Sequence, residues 1–344
     1  MTITPELFGL SREEAARRVG ALHQVARIDS LVEQEGLARG SRRIRMVTGG
    51  GLEAELHPDR ALDLGNVTYR GIPLAWISPS GISSPALAES RDQQWLRSFG
   101  GGLLATCGLD SFGPPTTVGG VAYPQHGRIG VTPATMTRCE VVGDELIVAG
   151  TVRQSTVFGE NLVLERTWSA DLGGTTLRLH DTVRNDGLAD EGHMVLYHVN
   201  VGWPLLDEKA ALEISSREVT PRDEDARAGA GRWHQLEAPQ EGYREQVFGH
   251  DFRDSGTAVV AVDNPGLGVR LEVAFDSSTL PALHQWKMSG EGHYALGLEP
   301  VNVNTFGGRA GAAAAGILPI LRRSREVSYS VELRLGPSHL GGTR

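Results

Sequence analysis

The amino-acid sequence predicts an all-β protein built as one large antiparallel sandwich. Beyond residue 40, short runs of strand length recur, either alternating apolar with polar or running apolar between turn residues. Turn formers, among them many of the 44 glycines, punctuate those runs at short spacing, and nowhere does strand–helix–strand alternation suggest a parallel nucleotide-binding sheet.

In chain order, Ser11-Arg12-Glu13-Glu14 opens the one clear helical signature: Ser11 is the N-cap, Glu14 completes a capping box, and Gly20 stops the helix. This predicts a short N-terminal helical appendage over 1–28, ahead of a single β domain over 29–344. Strands are expected at Arg43–Thr48, Glu145–Val152, Leu162–Trp168, Thr176–Val183, Gly268–Phe275 and Val327–Leu335. Between them stand turn signals such as Asp171-Leu172-Gly173-Gly174, Asn185-Asp186-Gly187 and Asn264-Pro265-Gly266. The stretch Glu208–Arg244 is more polar and reads as a long excursion. The tract Ala310–Gly316 fits either a helical turn or a loop, with a connector favoured. No linker divides the domain, and 344 residues with 40% hydrophobic content suffice for a continuous core.

A formal charge of −9, with acidic residues scattered rather than in blocks, argues against a nucleic-acid partner and offers no membrane-binding patch. Cys107 and Cys139 are too few for a disulfide framework and lack the spacing of a zinc or redox pair. The chain begins Met1-Thr2-Ile3-Thr4-Pro5 without an apolar leader, and no segment approaches the ~18 apolar residues of a membrane span, so a cytoplasmic protein is expected. Edge strands of so large a sandwich could pair into a homodimer.

Local cofactor and nucleophile motifs are absent: there is no P-loop, no H-E-x-x-H, no G-x-S-x-G and no dinucleotide fingerprint. Side-chain acid–base chemistry, carbohydrate or small-polyol recognition, or binding without turnover is what remains. Glu299, in Leu298-Glu299-Pro300, follows a strand-like run. His126, His198 and His284 sit among turn-forming or aromatic residues, in Pro124-Gln125-His126-Gly127, Tyr197-His198-Val199-Asn200 and Leu283-His284-Gln285-Trp286. A carboxylate facing imidazoles can pass protons. Three imidazoles and a carboxylate would also suit a transition metal, but their long-range spacing carries no metal signature, and no metal is expected.

Over most of its length the chain resembles the galactose mutarotase-like superfamily, in the aldose 1-epimerase branch designated DUF4432. The resemblance rests on Arg60–Gly65, Tyr69–Trp76, Thr106–Asp110, His126–Ile129, Leu196–Asn200 with Gly202–Leu206, and Leu298-Glu299-Pro300. It implies a β-supersandwich whose open face binds a pyranose, with His198 as general acid, Glu299 as general base and His126 as a substrate-binding histidine. It also implies mutarotation of a small-molecule carbohydrate, a reaction needing no cofactor. Here His198 leads into Val199-Asn200-Val201-Gly202-Trp203-Pro204 rather than the aromatic-rich continuation usual in mutarotases, and the family's sugar-gripping aspartate has no clear match, so the sugar stays open.

Asp63, Arg70, Asp110 and Arg128 are candidates for gripping hydroxyl or carboxylate groups, and Trp286 and Trp203 for an apolar platform under the ring. Arg70 and Arg128 make an anionic sugar compatible with the sequence. Two other functions use the same scaffold: carbohydrate binding without turnover, and epimerisation or elimination on an oxidised sugar.

Overall fold

The computed structural model describes residues 6–254 and 256–340. The first five residues of the predicted appendage and the last four of the predicted domain lie outside the described residues. Two antiparallel sheets dominate. The larger has eleven strands, ordered Arg27–Val32, Arg42–Val47, Leu52–His57, Asp63–Tyr69, Leu104–Leu109, Met194–Gly202, Ala295–Val301, Ala282–Met288, Gln246–Asp251 and Val219–Pro221, with Ile72–Pro73 paired to Asp63–Tyr69. The second has eight, ordered Ala211–Ile214, Thr257–Asn264, Val269–Asp276, Glu326–Pro337, Thr176–Asn185, Asn161–Asp171, Glu145–Ser155 and Thr135–Val142.

Each strand read from alternation is present, generally extended by a few residues. Asn161–Asp171 shows why alternation works: its inward positions Leu162, Leu164, Arg166, Trp168 and Ala170 are buried, and the intervening positions are mostly more exposed. One apolar core fills the space between the sheets, joining Trp168, Leu164 and Val331 of the second to Tyr197, Leu283 and Leu298 of the first. Polar bonds also cross that space. Arg166 donates to Asp181 at 2.9 and 2.6 Å, to Asp63 at 2.5 Å and to the carbonyl of Ala61 at 3.0 Å. The Tyr197 hydroxyl donates to Asp181 at 2.8 Å.

The N-terminal helix spans Arg12–Ala16, with Ser11 and Glu14 forming the capping box. It is tied to the sandwich by Arg12, which donates to the Gly143 carbonyl and to Asp144. The alanine tract is a helix, Gly308–Ala314, rather than the favoured connector. Alanine's high helix propensity accounts for the conformation, and the buried Arg309 anchors it by donating to the carbonyls of Asp110 and Gly192. Among the described residues, no helix is long and apolar enough to cross a membrane.

Candidate active site

The candidate site grows out of strand register. His198 lies opposite Ala105, His284 opposite Glu299, and Gly249 opposite His284. The pairings Val199–Leu298 and Leu196–Val301 bracket His198 and set it opposite Glu299. Residues in one cross-strand row share a face. His198, Glu299 and His284 therefore project side by side from three adjacent strands, away from the core that takes their chain neighbours Tyr197, Leu298 and Leu283.

The next row on that face is Asn200, Gly297, Trp286 and Val247. Gly297 is required by close approach: a Cβ there would strike Glu299 Oε1 and the Cβ of Trp286. Asn200 holds the strand end by donating to the carbonyls of Gly102 and His198. On the far side of the row of His198, Glu299 and His284 lies a small apolar cluster of Cys107, Leu196, Ala282 and Val301, packed with Phe112.

His126 arrives from a loop. Its backbone is left-handed, at φ +57°, where residues other than glycine are uncommon, and two backbone bonds hold it: its N–H donates to Gly113 and its carbonyl accepts from Gly108. Gly127 follows, also left-handed and so close to the Gly108 carbonyl that no side chain fits. The His126 ring lies 5.8 Å from that of His198 and 4.3 Å from that of Trp95.

These groups floor a cavity of about 690 Å³, within the range of small-molecule sites. Its walls are aromatic. Trp286 meets Trp76 edge-on at 5.7 Å, Trp95 stacks on Phe99 at 4.0 Å, and Phe306 sits 4.8 Å from His284. His198 Nε2 and Glu299 Oε1 are 3.2 Å apart, in contact but not aligned as a hydrogen bond. Both residues are about 95% buried.

Burial sets the electrostatics. It pushes the Glu299 carboxyl well above the usual range, aided by Glu245 and opposed by Arg222. It holds His198 well below the usual imidazole range, helped by the charge that His126 would carry. His126 falls to about 3 and His284 to about 4, each chiefly by burial. Although Nε2 and Oε1 are at ion-pair distance, the low-dielectric surroundings favour a carboxylic acid beside a neutral imidazole. That pair carries as many protons as a carboxylate beside an imidazolium, so once the two groups align, a single proton transfer interconverts the states without exchange with solvent. Several buried atoms have no partner among the described residues: Glu299 Oε1, His198 Nδ1, His126 Nδ1 and Asn200 Oδ1.

Of the residues singled out in the sequence, His126, His198, His284, Trp286 and Glu299 meet in this cavity. The others lie elsewhere. Asp63 is buried on the core side, bound to Arg166 and to the backbone and hydroxyl of Thr106. Arg70 sits in an exposed turn with its guanidinium over the Tyr69 ring. Arg128 bridges Asp110 and Glu160, at 2.9 and 2.8 Å, off the cavity wall. Trp203 is 69% exposed beyond the end of its strand, too far out to serve as a platform.

Trp76, Trp95, Phe99, Arg222 and Glu245 line the cavity without having been singled out for it. Trp95 carried a usable signal, a lone tryptophan in the polar run Arg91-Asp92-Gln93-Gln94 on a long connection. Arg222 and Glu245 carried only their place in or beside the polar excursion. Among the described residues, no three His, Cys, Asp or Glu side chains are grouped to hold a metal ion.

The model of the family described as Domain of unknown function (DUF4432) matches residues 38–335. No curated protein matches the sequence. Among solved structures, a candidate aldose 1-epimerase from Klebsiella pneumoniae superposes with a TM-score of 0.83 at 23% identity, covering 91% of this chain and 84% of that one. A galactose mutarotase-like protein from Clostridium acetobutylicum gives 0.67 at 13% identity, covering 91% and 99%. Galactose 1-epimerase from Lactobacillus acidophilus gives 0.60 at 13% identity, covering 91% and 100%. The chain thus belongs to the DUF4432 family and has the galactose mutarotase-like fold.

Proposed function

We propose that the protein is an aldose 1-epimerase-like isomerase that interconverts the α and β anomers of a free sugar. The observation that carries this reading is the 3.2 Å contact of His198 with Glu299 on the floor of an aromatic-walled cavity. Anomer exchange requires a base at the C1 hydroxyl and an acid at the ring oxygen, acting together. Proton transfer from Glu299 to His198 generates the carboxylate and imidazolium that the reaction consumes. Glu299 takes the C1 hydroxyl proton as the C1–O5 bond breaks, and His198 delivers its proton to O5. The open-chain aldehyde and the neutral His198–Glu299 pair result.

Rotation about C1–C2 and the same transfers in reverse close the ring on its other face. His126 and His284 each present a neutral ring beside the pair and can bond sugar hydroxyls without adding charge. Trp286 and Trp76 offer apolar surface to a ring face. NMR exchange spectroscopy on a panel of aldoses tests the reading: anomer exchange accelerated by the wild type and abolished in Glu299→Gln is expected. Ligand-induced shifts without acceleration would make the protein a carbohydrate binder and overturn the isomerase.

A further inference from the structure

We infer that Arg222, Glu245 and Trp286 form a hydroxyl-reading subsite that takes an uncharged sugar ring and turns away sugars bearing a carboxylate or phosphate. The inference rests on the reading of the cavity as a sugar site and adds the substrate class. Arg222 follows the edge strand Val219–Pro221, and its N–H donates to the carbonyl of Val247, which brings it over the neighbouring strand beside Trp286. Among the described residues it is the one arginine or lysine on the cavity wall.

It is not a free cation. Its Nε donates to Asp223 at 2.7 Å and its Nη2 to Glu245 at 2.9 Å. The second oxygen of Glu245 accepts the Trp286 indole N–H at 2.8 Å. One guanidinium thus stands between two carboxylates, and the local charge is negative rather than positive.

What this cluster still offers is specific. Arg222 Nη1 has no partner among the described residues and retains two N–H donors, and each Glu245 oxygen has accepted one bond and keeps room for a second. Donor and acceptor lie side by side at the edge of the indole, whose N–H bonds Glu245 and whose face is apolar surface for a pyranose. A hydroxyl both gives and accepts, so it satisfies the two together. An ionised carboxylate or phosphate only accepts: it would meet the Arg222 donors but also the Glu245 and Asp223 charges, and like-charge contacts of this kind discriminate strongly. Of the cavity imidazoles, the three on its floor, His126, His198 and His284, are held neutral by burial and offer no compensating cation, while His293 stands exposed on the wall.

The test compares anomer exchange for matched pairs, glucose with glucuronate and galactose with galacturonate, together with the 6-phosphates, in the wild type and in Glu245→Gln. The wild type is expected to prefer each neutral sugar by at least about tenfold in kcat/KM, and Glu245→Gln to narrow that ratio severalfold, chiefly through KM for the acidic member. Acidic sugars turned over as well as neutral ones, or a ratio unmoved in the variant, would overturn the subsite while leaving the isomerase standing. If no sugar exchanges, the isomerase falls and tryptophan fluorescence titration decides the subsite alone. Binding of neutral over acidic sugars would uphold it; the reverse order, or no binding, would sink it.

Discussion

Tyr197 and His198 are neighbours in one strand, yet they belong to two polar clusters on opposite faces of the larger sheet. On the core face, Tyr197, Asp181, Arg166, Asp63 and Thr106 form a closed network in which no side-chain polar atom lacks a partner. On the cavity face, His198, Glu299 and Asn200 are almost as deeply buried and His126 is partly buried, yet each keeps an unpartnered atom. Similar burial with unequal satisfaction separates two purposes. A saturated network fixes how the sheets pack. An unsaturated one costs folding free energy and holds bonding capacity for a polar molecule that fits between its members.

The sharpest way to break this contrast is to exchange effects between the faces. Glu299→Gln should lower the anomer-exchange rate by roughly 10²–10⁴-fold, the usual range for loss of a positioned acid–base group, without lowering the urea midpoint. A midpoint falling along with the rate would mean that Glu299 is structural and that the two faces do not differ. Arg166→Met should do the converse: it leaves Asp63 and Asp181 buried without their counter-charge, at a cost of about 3–5 kcal/mol, while the protein that remains folded keeps its rate.

Acid titration sharpens the same comparison. His126 and His284 titrate near 3 and 4 in the folded protein, against an ordinary imidazole value of 6.5. Between about pH 6.5 and those values the unfolded chain binds the additional protons, so stability is full above pH 6.5 and declines as pH falls through the window. Each histidine contributes a slope of up to about 1.4 kcal/mol per pH unit there. Denaturation curves of a His126→Gln, His284→Gln double variant should show a shallower acid decline than the wild type; an equally steep decline would place the acid sensitivity elsewhere.

Gly297→Ala is the smallest of these perturbations. The added methyl must displace the Glu299 carboxylate or Trp286, so the rate should fall about tenfold or more while stability drops by roughly 1–3 kcal/mol. An unchanged rate would show that the carboxylate position does not govern turnover.

Much of the site was legible because histidine, glutamate and tryptophan are conspicuous where strands meet turns. His126, His198, His284, Trp286 and Glu299 could be picked out before their register was known. Asp63, Arg70, Asp110, Arg128 and Trp203 were candidates as well, because a residue near a turn reads the same whether it faces a cavity, an ion pair or solvent. Asp63 makes the point: sequence shows a carboxylate, but only the strand that carries Arg166, about a hundred positions away, makes it a core residue. Arg222 and Glu245 went unnoticed for the opposite reason, since nothing local distinguishes them from the charged residues around them.

By itself, the sequence determined the periodicity of the strands, the turns between them, the capped N-terminal helix and the chemical kinds of side chain available for proton transfer. These follow from interactions over a few residues, which the chain order records directly. Tertiary structure decided that His198, Glu299 and His284 stand in one row, that Arg222 is neutralised by Glu245 and Asp223, and that the alanine tract is a helix pinned by Arg309. Register between strands far apart in sequence is set by the packing of a whole sheet against its core, and shifting one strand by one residue would turn each of its side chains to the opposite face.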